Sequence, residues 1–175
     1  MSDPLLVYGA TGFTGRLVVD ALLARGIRPI LGGRNRERLE HAAGALNLEY
    51  RVASVSDANA LAALLSDLDV LLLAAGPFSQ TAVPIVQACL ASGVHYLDVT
   101  GECAVFESIA QFGGAAATRH CMVMPGCGFD VVASDCLARH VSQRQASSSY
   151  RDSAISRWWI EFMKLPKCRW AVPTR

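Results

Sequence analysis

No stretch of the chain is long and apolar enough to cross a bilayer; its longest apolar runs, such as Val70 to Ala75, are the length of a strand. The first residues, Met-Ser-Asp-Pro, show no basic region leading into an apolar stretch, so no secretory signal is expected. An excess of either charge is missing too. The formal net charge is +1, which gives the chain as a whole no electrostatic reason to bind nucleic acid. The six cysteines (Cys89, Cys103, Cys121, Cys127, Cys136 and Cys168) contain no CxxC pair, and His41, His95, His120 and His140 fall at no ligand spacing, so no metal site is expected. Free thiols in a cytoplasmic protein are the expectation. What remains is apolar: 52% of the 175 residues are hydrophobic, enough for one domain of ordinary size and well outside the disordered range.

Lysine is absent from residues 1–150, which carry 10 arginines against 13 acids, a balance of −3. Residues 151–175 reverse this, with 6 basic residues against 2 acids, and hold both lysines and all three tryptophans. The shift begins near Ser147–Ser149. The expected organisation is a domain over 1–141 and a dissimilar basic, tryptophan-containing tail over 142–175. Ile155, Trp158, Trp159, Phe162 and Leu165 follow helical spacing, which suits packing on the domain or, as the one route to a membrane, an anionic surface.

Within the body, short β-rich runs alternate with helical patterns. Strands are expected at Leu5–Tyr8, Arg28–Leu31, Glu49–Ala53, Val70–Ala75, Val94–Val99 and Cys121–Met124. Helices are expected at Phe13–Arg25, Asn35–Leu46, Asp57–Ser66, Thr81–Ala91 with Pro84 in its first turn, within Ala104–Ala117, and at Asp130–Val141. Strands separated by helices need crossovers, and right-handed crossovers build a doubly wound parallel α/β sheet; six strands in this rhythm fit the order 3-2-1-4-5-6.

Between the first strand and first helix stands Gly9-Ala10-Thr11-Gly12-Phe13-Thr14-Gly15. Gly9 permits a tight turn, Gly12 allows close approach of a pyrophosphate, and Gly15 lets the helix pack against the strand, while the helix amides face the phosphates. The end of the second strand, Gly32-Gly33-Arg34-Asn35-Arg36, has no acid before Glu37 to accept from ribose hydroxyls. Arg34 first and Arg36 second are candidates for the 2′-phosphate of NADP, with Asn35 suited to capping the next helix. Ser56 and Asp57 fall where an adenine loop is expected, and Asp57 equally suits a helix N-cap. Ala75, Gly76, Pro77 and Phe78 follow the fourth strand, along the cofactor toward the nicotinamide.

Together Tyr8–Gly15, Gly33–Arg36, Ala75–Phe78, Tyr96-Leu-Asp-Val-Thr-Gly-Glu102 and Pro125-Gly-Cys-Gly-Phe-Asp130 resemble the saccharopine dehydrogenase-like oxidoreductases, nearest the branch of trans-acting enoyl reductases. The resemblance covers about residues 4–140. It implies an NADP-binding Rossmann domain and hydride transfer with a nicotinamide cofactor, on a small-molecule or lipid-linked substrate and in a homodimer. Members of that family continue into a substrate domain for which 142–175 is too short, so a truncated or altered C-terminus is expected. The short-chain dehydrogenase mechanism is excluded, because no tyrosine is followed four positions on by lysine.

Tyr96, Asp98, Thr100, Glu102 and Asp130 fall at the carboxyl ends of strands five and six, where open α/β sheets bind substrates. Asp98, Glu102 and Asp130 are the substrate-side candidates. Glu102 or Asp130 could orient a substrate or relay a proton, but the first expectation is that Asp98 anchors a neighbouring loop and Asp130 caps a helix. No catalytic base is assigned. Cys127 lies near the same place, with packing its first expectation. The alternative functions are a non-catalytic NADP-binding regulatory module and an inactive fragment.

Overall fold

A computed structural model describes residues 4–145. Its elements run β1 (Leu5–Tyr8), α1 (Phe13–Leu23), β2 (Ile30–Gly33), α2 (Arg36–Leu46), β3 (Tyr50–Val52), α3 (Ala58–Leu64) and β4 (Val70–Leu73). They continue with α4 (Phe78–Ser92), β5 (His95–Asp98), α5 (Cys103–Ala110), α6 (Gly113–Thr118), β6 (Val123–Met124) and α7 (Phe129–Gln145). The strands form one six-stranded sheet in the order β3-β2-β1-β4-β5-β6. Every neighbouring pair is parallel. The order expected from the alternating pattern is the order found.

Pleating in β1 divides the core in two. Val7 joins Val19, Leu31, Leu39 and Ala43 on the face covered by α1 and α2. Leu6 and Tyr8 turn the other way, to Leu71, Leu73, Leu61, Ile85, Val86 and Ile109 beneath α3, α4 and α5. A strand covered on both faces must be apolar at every position, which is why β1 and β4 read so plainly in the sequence. Arginine also serves where the body has no lysine. Arg119 donates to the carbonyls of Leu90 and Ala91, Arg51 to those of Leu64 and Ser66, and Arg28 to that of Asn47, so each guanidinium sits at the C-terminal end of a helix.

Several boundaries differ from the expectations. β2 lies two residues later than expected, because Pro29 offers no amide and the register pairs Leu6 with Ile30 and Tyr8 with Gly32. α4 starts at Phe78, straight after Pro77, so Pro84 lies inside the helix in its second turn and not in its first. The single helical stretch expected after β5 is two helices, α5 and α6. α7 begins at Phe129, so Asp130 is in its first turn and does not cap it. It runs past Val141 to Gln145, and the rest of the tryptophan-containing tail, with the helical spacing of Ile155, Trp158, Trp159, Phe162 and Leu165, lies outside the described residues. Among the described residues, no helix is long and apolar enough to cross a membrane.

The buried face beneath α4 carries a pH dependence. Cys89 is fully buried, and burial first, with Cys121 second, pushes its thiol up from 9.0 to about 12. Tyr96 is also raised above its ordinary 10.0, by burial first and then by Asp98. Both groups are neutral acids in the fold. Below about pH 9 folded and unfolded chains both hold these protons and the contribution is complete; as pH rises from there the unfolded chain ionises first, so stability falls. Urea midpoints taken between pH ~8 and ~11 should decline, and less steeply in Cys89→Ala than in the parent. Parallel slopes would remove Cys89 from the account.

Candidate cofactor site

At the carboxyl end of β1 the chain turns at Gly9, whose φ of +91° is open to glycine and strained for other residues. A side chain there would also collide with Ala75, its Cβ lying 2.8 Å from that of Ala75. The turn is fastened by the Gly9 amide to the Gly32 carbonyl (2.8 Å) and by the Gly12 amide to the Gly9 carbonyl (3.0 Å). Gly15 then lies against the same turn; a Cβ on it would be 2.1 Å from the Gly9 oxygen. These contacts aim the start of α1 at the gap between β1 and β4, where the strand order reverses.

That start is open. Gly12 is the N-cap and accordingly offers no side-chain cap, and the first turn of α1 contains no acid. The amides of Phe13, Thr14 and Gly15, as the first of an α-helix, have no partner within it. Gly12, Phe13 and Thr14 are exposed, Phe13 at 80%. Thr11, in the turn itself, is half-buried.

A cleft of about 720 Å³ opens here. Phe13, Thr14 and Val18 form one side; Leu72, Ala74, Gly76 and Phe78, at the end of β4, form its floor. Val99, Cys127, Gly128, Phe129, Asp130 and Val131 form the other side. The structure thus brings Phe13, Thr14, Gly76, Phe78 and Asp130 of the expected site residues into one cleft. Ala75 and Pro77 lie in the same loop, which is pinned by the Thr81 hydroxyl donating to the Ala75 carbonyl (2.7 Å).

The remaining candidates lie outside that lining. Arg34 is exposed directly after β2, near enough to Tyr8 for its charge to oppose the burial that raises the Tyr8 phenol. Arg36 is exposed at the first position of α2, and Asn35 caps that helix by accepting from the Arg38 amide at 2.9 Å. Asp57 caps α3 through the Ala60 amide (3.0 Å), and the Ser56 hydroxyl meets that of Ser54 at 2.9 Å. Glu102 is exposed and accepts the Phe78 amide, the first of α4, at 3.2 Å.

Asp98 is not part of the cleft surface. It is fully buried behind it, taking the Tyr96 hydroxyl (2.6 Å) on Oδ2 and the amides of Thr100 (2.9 Å) and Gly126 (2.8 Å) on Oδ1. Its main-chain carbonyl receives the Cys127 amide (2.8 Å) and thiol (2.9 Å). Asp98 therefore ties the end of β5 to the loop that forms the far wall. The Cys127 thiol is raised from its ordinary value, by burial first and Asp98 second, which is the state of a packing thiol and not of a nucleophile.

Sequence reasoning did not single out Val18, Val99, Phe129 and Val131 as cleft residues. The signal available for Val99 and Phe129 was their place directly after β5 and beyond β6, at the same edge of the sheet as the glycine turn.

A doubly wound sheet with an open helix N-terminus at its switch point, a glycine turn beneath it and basic residues after β2 defines a dinucleotide-binding domain of the Rossmann class. The sequence profile described as the saccharopine dehydrogenase NADP-binding domain matches residues 5–124, and the chain belongs to that family. Its cofactor is NADP(H). The chain is 34% identical over 139 residues to the trans-acting enoyl reductase of Mycobacterium leprae, covering 75% of this chain and 33% of that protein. It is 33% identical over 139 residues to the enzyme of the same name from Mycobacterium tuberculosis strain H37Rv, with the same coverage. The chain thus spans about a third of the length of the curated relatives it matches. Among solved structures, apo saccharopine dehydrogenase (L-Glu forming) from Saccharomyces cerevisiae superposes with a TM-score of 0.67 at 18% identity, over 81% of this chain and 32% of that one. The triphenylmethane reductase of Citrobacter sp. complexed with NADP(H) gives 0.56 at 22% identity, over 69% and 48%. Both show likeness of fold.

Proposed function

We propose that this chain is the cofactor-holding part of an NADPH-dependent reductase acting on a carbonyl, imine or enoyl substrate, small or lipid-linked. The observation that carries the reading is the acid-free, uncapped start of α1 beside Gly12, facing the cleft. It suits a pyrophosphate, because the helix amides and dipole favour an anion and Gly12 leaves room for it. In this reading Thr11, Gly12, Phe13 and Thr14 hold the pyrophosphate on the frame set by Gly9 and Gly15. Arg34, with Asn35 and Arg36, takes the 2′-phosphate, Ser56 and Asp57 border the adenine, and Ala75 to Phe78 run beneath the nicotinamide. Glu102 and Asp130 stand on the substrate side, and Asp98 positions the wall behind them. A bound nicotinamide would supply the hydride; the protein's part is to orient the ring over the β4 end and to exclude water.

The names of the mycobacterial relatives favour the enoyl member of that substrate set. A cytoplasmic location and assembly as a homodimer belong to the same proposal. The test pairs calorimetry of NADPH binding with NADPH oxidation against a panel of carbonyl, imine and enoyl acceptors. Binding with at most slow turnover, confined to one class, is the expected result. Binding without turnover on any of them would assign the chain to carrying or sensing the cofactor, and absence of binding would end the reading.

A further inference from the structure

Arg34 and Arg36, exposed after β2 and outside the cleft lining, stand where the proposed reading puts the adenosine. Among the described residues, the one charged side chain in the lining itself is Asp130, on the wall where that reading puts the nicotinamide end. Glu102 adds a second carboxylate at that end, its Oε1 3.2 Å from the amide of Phe78, which itself forms part of the floor. The two forms of the cofactor differ there by one unit of charge: the oxidised nicotinamide ring is a cation and the reduced ring is neutral. We propose that the carboxylates of Glu102 and Asp130 make this domain hold the oxidised, cationic form of NADP more tightly than the reduced form.

This inference rests on the orientation given under Proposed function. Glu102 is suited to the task because its position is fixed by a hydrogen bond that does not need its charge: a glutamine oxygen could accept the same amide. Both carboxylates are exposed, so each is worth about threefold in affinity at low ionic strength and less as salt is added.

The test measures binding of NADP+, NADPH and 2′,5′-ADP, which lacks the nicotinamide, to the full chain and to Glu102→Gln, Asp130→Asn and the double variant. The expected result is a loss of NADP+ affinity of about threefold in each single variant and up to about tenfold in the double. NADPH affinity should be unchanged or improved, and 2′,5′-ADP affinity unchanged. Glu102→Lys should carry the NADP+ loss further. Equal changes for NADP+ and NADPH, or none for either, overturn the proposal while retained 2′,5′-ADP binding leaves the cofactor site standing. A parent chain that does not bind 2′,5′-ADP overturns the site itself.

Discussion

Arg34→Ala should weaken NADPH binding by about tenfold or more while leaving NADH binding within about twofold of the parent. A hydrogen bond between a guanidinium and a phosphate is worth about 1.5–3 kcal/mol, which converts to roughly tenfold to a hundredfold. Arg34 is exposed in the free domain, so solvent screening places the effect at the lower end of that range at ordinary salt and higher in dilute buffer. NADH carries a hydroxyl where NADPH carries the phosphate, and so has nothing for the guanidinium to hold. Arg36→Ala should show the same selectivity with a smaller loss, because Arg36 stands two residues farther from the end of β2, beyond the Asn35 cap. Calorimetric titration of both cofactors into both variants measures this directly. Losing NADH and NADPH affinity in equal proportion would remove Arg34 from the 2′-phosphate.

The parts of this molecule legible in its sequence are those whose cause is local. β1 and β4 are apolar because both faces are covered, and that pattern is visible in a few residues. The turn from Gly9 to Gly15 is local in its positive φ at Gly9 and in the collisions at Gly12 and Gly15, which come from within the turn, whereas a side chain at Gly9 would meet Ala75 of the distant loop after β4. Asn35 and Asp57 suited helix caps by residue type and position, and each does accept an amide three residues on. The boundaries that moved were set by prolines at their ends and by neighbours in space. β2 slid to match β1 and β3, and α4 began where Pro77 ends the preceding loop. The far wall of the cleft was least legible. Its residues come from the loop after β5 and, well separated along the chain, from the loop after β6 and the start of α7, and Asp98 meets the Gly126 amide across 28 positions, a relation that no periodicity encodes.

That relation has the largest expected consequence for stability. Asp98→Ala strands three donors at once: the Tyr96 hydroxyl and the amides of Thr100 and Gly126. Tyr96, Asp98 and Thr100 are all fully buried, so water cannot readily take the carboxylate's place. Each stranded donor costs about 1–3 kcal/mol, and the sum is comparable with the whole stability of an ordinary domain, about 5–15 kcal/mol. The alanine variant should therefore be largely unfolded, or fold with β5 detached from the loop after β6. Asp98→Asn should behave differently. Its carbonyl oxygen can still receive the Thr100 and Gly126 amides, and the Tyr96 hydroxyl can rotate to accept from the new amide group, so the loss should be about 1–2 kcal/mol. Removing the negative charge beside Tyr96 should also lower the phenol toward its ordinary value and begin its titration at a lower pH, because Asp98 is, after burial, the next cause of the shift. Urea unfolding and alkaline spectrophotometric titration of both variants check these outcomes. If alanine and asparagine destabilise the domain equally, the carboxyl group is not the clamp that holds the far wall, and the shape of the cleft must be maintained by the packing of Val99 and Gly128 instead.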